Sequence, residues 1–275
     1  MYRLFAAGVV LLWVSAMTAL FVRDVWPAWS AQDAPPLNSK KLADLPQRQE
    51  QFGIFKAGGD RIGTAWSDLQ ASPERTTIRG TIATNALGIV PPLRIESVTE
   101  FDSAGGLDSF DLRVLGIADS RIAVRGERRG IYFPVEMHFG TFHRQANLDM
   151  AATRLIGDSM RPFTFLPTLH VGQSWRMQLL DPIAAVLGGK TQFRSIVARV
   201  TRRETIVHLG KPADCFVVET SPQQVTAWVD AHGRVLVQEV DLPGFGRIAV
   251  REEPYNDDLR NKTKQNIRES RGEEP

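Results

Sequence analysis

From residue 52 to residue 253 the hydrophobic positions recur with a period of two. Ile131, Phe133, Val135, Met137 and Phe139 alternate with Tyr132, Pro134, Glu136 and His138. Leu93, Ile95 and Phe101 take the face opposite Arg94, Glu96, Glu100 and Asp102, and Phe110, Leu112 and Val114 alternate with Asp111 and Arg113. Such alternation puts one face of a strand on a core and the other in water. Gly58-Gly59-Asp60, Gly105-Gly106, Arg129-Gly130, His232-Gly233 and Pro243-Gly244 punctuate the runs and supply the positive φ that tight hairpins need. Strands joined in this way predict an antiparallel meander. Later strands are expected over 191–200, 205–209, 215–220, 224–229, 234–240 and 246–251.

Two stretches interrupt the pattern. Residues 147–169 mix Met150, Ala151, Ala152, Leu155 and Ile156 with Pro162 and Pro167, which predicts a short helix and a crossover. Residues 181–187 open on Asp-Pro, a helix start with a capping aspartate and proline in the first turn. The fold expected is mainly β: a long curved antiparallel sheet, as an open barrel or a sandwich, with one or two short helices.

The segment before the sheet differs in kind. Residues 4–22 carry no charged side chain, and at 1.5 Å per residue they span roughly 28 Å, close to the hydrocarbon thickness of a bilayer. Phe21, Trp26 and Trp29 gather at the far end, where aromatic rings favour the interface, and Arg3 marks the near side. Two readings remain open, an uncleaved transmembrane anchor and a cleaved secretory signal. Length favours the anchor, and the nearest small-x-small site, Ala28-Trp29-Ser30, lies beyond charges and a proline. A lipoprotein signal would need a cysteine after the apolar run, whereas Cys215 is the single cysteine. The resulting division is an anchor over 1–24, a tether over 25–50, a β-domain over 51–253 and a polar mobile tail over 254–275. Pro27, Pro35, Pro36 and Pro46 stiffen the tether. The N-terminus is expected in the cytoplasm and the bulk of the chain on the periplasmic side.

Composition narrows the function more than it identifies one. With 43% hydrophobic residues the chain of 275 residues folds, and a net charge of +2 lacks the basic excess of a nucleic-acid binder. One cysteine builds neither an internal disulfide nor a thiolate zinc site.

Candidate chemistry is sparse. His138, His143, His170, His208 and His232 are scattered, no pair has HExxH spacing, and solvated or structural roles are expected of them. Cys215 sits in an expected strand as a small hydrophobe. Gly157-Asp158-Ser159 resembles the start of some esterases, but no Asp-x-x-His follows and no Gly-x-Ser-x-Gly elbow occurs. No glycine-rich loop leads a strand into a helix, so no cofactor, metal or catalytic residue is assigned. Trp66, Trp175 and Trp228 are the large aromatics of the β-domain; they either line an apolar ligand pocket or pack as core. Phe163, Phe165, Leu166 and Leu169 form an apolar cluster for which core packing is expected.

Three stretches carry a resemblance. Residues 59–66 (GDRIGTAW), 169–175 (LHVGQSW) and 227–236 (AWVDAHGRVL) resemble the opening hairpin, mid-chain entry and closing hairpin of bacterial envelope β-domains of unknown function. Such modules precede a transglutaminase-like domain in some relatives, and they are more distantly similar to lipoprotein-carrier open barrels. The resemblance implies an anchored, non-enzymatic envelope module; a binding or accessory role with a membrane-protein or lipid partner is expected. Two alternatives stay open: a carrier or sensor of an amphiphile in the curved sheet, and a hydrolase with a site assembled from distant loops.

Overall fold

The computed structural model describes residues 2–22, 48–85, 92–117, 120–148, 156–158, 163, 166, 168–180, 193–221, 224–242 and 246–270. The first half is a meander of β1 (Arg48–Lys56), β2 (Arg61–Ala71), β3 (Arg75–Thr84), β4 (Arg94–Asp102), β5 (Leu107–Ile117), β6 (Ser120–Glu127), β7 (Phe133–Phe139) and β8 (Phe142–Leu148). The second half holds β9 (Ile156–Asp158), β10 (Ser174–Leu180), β11 (Phe193–His208), β12 (Lys211–Ser221), β13 (Val225–Asp230), β14 (Val235–Leu242) and β15 (Gly246–Glu253). Helices α1 (Tyr2–Leu20) and α2 (Asp257–Ser270) flank them.

Fifteen strands form one sheet in the order β8-β7-β6-β5-β4-β3-β2-β1-β15-β14-β13-β12-β11-β10-β9. Every pair is antiparallel except β9 with β10. The first and last strands therefore meet in the middle, with Gln51 opposite Glu253 and Lys56 opposite Ile248. The sheet is continuous and open, with β8 and β9 at the two ends of its order. Its curl is visible in the core: Val135 on β7 and Trp175 on β10, near opposite ends of the strand order, belong to one buried cluster with Phe52, Ile95, Phe133 and Val229. Each such side chain contributes about 1.5–3 kcal/mol by leaving water. Gly126 on β6 lets Phe110 and Phe133 stack at 5.8 Å, because a Cβ there would lie 2.5–2.6 Å from their rings.

Several expected boundaries move. The two strands read over 191–200 and 205–209 are one long strand, β11, with a bulge between Val200 and Arg202. The charged run Arg202-Arg203-Glu204 reads locally as a break, yet its backbone pairs with Val217, Phe216 and Cys215. Of the segment read as helix and crossover, residues 156–158 form β9; the expected helix over 181–187 lies outside the described residues.

Phe163 and Leu166 are buried core, as their cluster suggested. The Gln238 side chain, itself buried, holds Phe163 by both backbone groups: its Oε1 accepts from Phe163 N at 3.0 Å and its Nε2 donates to Phe163 O at 2.8 Å. Leu166 N adds a bond to Gly233 O at 2.9 Å.

The ends differ from expectation more sharply. The tail expected over 254–275 contains α2, whose start Asn256 caps through Oδ1 to Leu259 N at 3.0 Å. Arg260 on its first turns forms a two-pronged ion pair with Asp68 of β2. The transmembrane helix expected over 4–22 is not supported: among the described residues no helix is long and apolar enough to cross a membrane.

Replacing Gln238 by leucine strands two buried backbone groups of Phe163, each worth about 1–3 kcal/mol. Urea unfolding of the Gln238→Leu variant is expected to show a loss of about 2–4 kcal/mol; unchanged stability would mean the clamp contributes nothing.

Candidate functional site

The three tryptophans do not converge. Trp175 belongs to the inner core. Trp66 follows Ala65 and Trp228 sits between Ala227 and Val229, all three neighbours being core residues, so both indoles point to the opposite face. On that face β1, β15 and β14 separate them. Trp66 is covered where α2 begins: its Nε1 donates to Gln51 Oε1 at 3.1 Å, and the same oxygen accepts from Asn256 N at 3.1 Å. Trp228 is half-buried opposite Val217 and Val237. An apolar pocket lined by all three is therefore absent among the described residues.

Cys215 is buried on β12. Desolvation, then the charges of Asp230, Asp214 and Glu204, push its thiol up to about 11. At neutral pH it is a protonated hydrophobe, the opposite of an activated nucleophile. Asp158 lies on β9, and Ser159 is outside the described residues.

The histidines are less scattered in space than in sequence. His170 and His232 are exposed in turns. His208 Nε2 lies 3.3 Å from Glu252 Oε2, with Arg234 4.0 Å from the other oxygen of that carboxylate. His138 and His143 face each other directly across β7 and β8, ring centroids 4.5 Å apart, with Glu136 beside them. The signal is the sequence HFGTFH: the histidines are equidistant from a two-residue Gly140-Thr141 turn, with Gly140 at φ 54°.

A concave feature lies on the face turned away from the core, over β3 to β6. It is an open groove of about 570 Å³ whose walls are the outward rungs of the period-two pattern. Five carboxylates (Glu96, Glu100, Asp108, Asp111, Glu127) meet three guanidiniums (Arg75, Arg113, Arg125) there. Arg113 bonds Asp111 at 3.0 and 3.1 Å, and Arg125 bonds it at 2.8 and 3.0 Å. Burial raises the Asp111 carboxyl, but those bonds, Arg113's first, outweigh it and hold it below the usual carboxylate range. Glu100 accepts from Arg75 at 3.3 Å and from Ser109 at 3.0 Å, while Asp108 sits 3.7 Å from Arg75. The guanidiniums are thus engaged, and the surplus is negative.

No family model matches the chain, and no curated protein matches it. Among the solved structures that match, two show the following partial likeness. One is a beta-barrel-like protein of domain of unknown function DUF1849 from Brucella abortus, with a TM-score of 0.45 and 8% identity over 75% of this chain and 95% of that one. The other, a DUF1089 family protein from Pseudomonas aeruginosa, has a TM-score of 0.39 and 15% identity over 66% and 90%. Neither carries a residue role to this chain, and neither bears on the expected link to transglutaminase-like domains.

The Cys215 thiol titrates near 11 in the fold, against about 8.5 when unfolded. Its share of stability is complete below the unfolded value and is lost as pH rises through the folded one. A thiol reagent at about pH 8 is expected to leave the native chain unlabelled and to label it fully in denaturant. The Cys215→Ala variant is expected to lose less stability than the parent as pH climbs through that window. Labelling of the native chain at the rate of a free thiol would contradict the burial.

Proposed function

We propose that the chain is a non-catalytic binding module, held at a membrane by its N-terminal apolar helix, whose β-domain on the extracytoplasmic side engages a partner protein. The observation that carries this reading is the acidic groove over β3–β6. It is preformed by cross-strand pairs, it is open, and its carboxylates outnumber its guanidiniums in a chain that is slightly basic as a whole. Such a surface steers and selects a basic segment of a partner.

Two features support the rest. Leu11, Leu12 and Trp13 of α1 are 68%, 74% and 61% exposed, and a contiguous apolar helix surface of that kind calls for a lipid or protein environment. The groove carboxylates are tied up: Asp111 between two arginines, Glu100 by Arg75 and Ser109. Carboxylates so engaged make poor proton donors, which counts against the hydrolase reading. Against the carrier reading, Phe163, Leu166 and Trp175 are packed into the buried core cluster of the curved sheet.

The test is purification of the tagged full-length chain from its own host in mild detergent, with mass spectrometry of what accompanies it. A stoichiometric membrane protein is expected. The Glu96→Lys, Glu127→Lys double variant is expected to lose it about tenfold, roughly 1.4 kcal/mol. A chain that emerges alone, or only with lipid, or a partner indifferent to both substitutions, would overturn the reading. Deleting residues 1–24 is expected to move the chain to the soluble fraction; continued sedimentation with membranes would rule out attachment through this helix.

A further inference from the structure

We infer that the β7–β8 hairpin is a binding site for a divalent transition-metal ion, with His138, His143 and Glu136 as its ligands. The backbone sets the arrangement. Glu136 and His138 are two residues apart on β7 and share its exposed face, while His143 is the register partner of His138 on β8. Val135 and Met137 alternate with them and are buried, so the strand that carries two of the three donors is fixed in the core.

One donor atom from each of the three residues can be chosen so that all lie within 4.8 Å of one another. In a tetrahedral shell with bonds of about 2.0–2.1 Å, neighbouring donors stand roughly 3.3 Å apart. All three side chains are exposed, and closing the difference takes only modest rotation about their own side-chain torsions.

The surroundings suit the ion. Gln145, the register partner of Glu136, donates from Nε2 to its Oε1 at 3.3 Å, which orients the carboxylate and leaves Oε2 available. Arg125 lies opposite Glu136 on β6, but its guanidinium is bonded to Asp111 at 2.8 and 3.0 Å. Ala123, opposite His138, adds no bulk beside the imidazole. Two imidazoles and a carboxylate select a borderline ion such as zinc or copper(II) over calcium or magnesium. Three protein donors leave further coordination positions facing solvent, to be filled by water or by a donor from a partner. The site bridges β7 to β8, the strand at one end of the sheet order, so the ion would also staple an edge strand whose one partner among the described residues is β7.

The full-length chain in detergent micelles, purified without a polyhistidine tag, is titrated with zinc chloride against a chromophoric chelator. One saturable site per chain is expected. His138→Ala and His143→Ala are each expected to weaken it about tenfold or more, whereas His170→Ala and His232→Ala, which alter exposed turn histidines, leave it unchanged. With copper(II), electron paramagnetic resonance is expected to show two coordinated nitrogens in the parent and one in either β7–β8 variant. Unchanged thermal melting of the metal-free variants separates lost ligands from lost fold. No saturable site, or zinc affinity that survives both substitutions, or equal loss in the turn variants, would overturn the assignment.

Discussion

The pairing of β1 with β15 is the constraint on which the rest of the molecule depends. Without it the chain is two separate meanders, each with a free edge where the other half belongs. The pairing joins residues some two hundred positions apart, as in Gln51 with Glu253. Such a ladder forms only after a long loop has closed, at an entropic cost that local hairpins do not bear. What offsets the cost is burial on both sides of the seam: Ile54 lies opposite Val250, and Phe52 and Ile248 join them in the common core. The seam also explains Gly53. A side chain there would collide with Glu253 and Phe55, and Glu253 is needed where it is, taking both arms of Arg61 at 3.1 and 2.8 Å.

The position of α2 follows from the same seam. Because β15 lies next to β1, a chain leaving Glu253 emerges over the outer face of β1 and β2. There Asn256 reaches Gln51, and Arg260 reaches Asp68. The hydrogen bonds that Arg260 donates to Asp68 raise its pKa, burial opposes them and a further bond to Tyr255 adds to them, so the guanidinium stays charged at any ordinary pH. Trp66 is buried by this arrangement, on a face that alternation alone assigns to water. The outer surface is therefore divided along the first meander: covered at β1–β2, grooved and acidic at β3–β6, and furnished with paired imidazoles at β7–β8.

Alternation made the strands legible because each depends on a pattern within its own few residues. Phe110, Leu112 and Val114 against Asp111 and Arg113 is enough to place β5 and its two faces. The tryptophans were ambiguous for the complementary reason: what covers Trp66 on the outer face is the start of α2, which is remote in sequence. The start of α2 carried a local signal, Asn256 followed by Asp257 and Asp258, that low apolar content obscured. The His138–His143 contact was legible in principle. Scanning for spacings along one helix misses it, since across a two-residue hairpin facing positions are separated by an odd number that grows by two with each rung.

The two halves of the sheet do different work. The second meander supplies the Gln238 clamp and the buried Phe163 and Leu166 beneath it. Those are devices for filling and fixing the inside of the curl. The first meander has its inner face filled in the same way, but its outer face holds the charged rungs and the imidazole pair. The described inner faces of its strands are packed with apolar side chains, which leaves the outward rungs to carry the charged and imidazole groups. The period of two makes that possible without cost to the core: every outward position on β3 to β8 is free to change while its inward neighbours keep the strand in place.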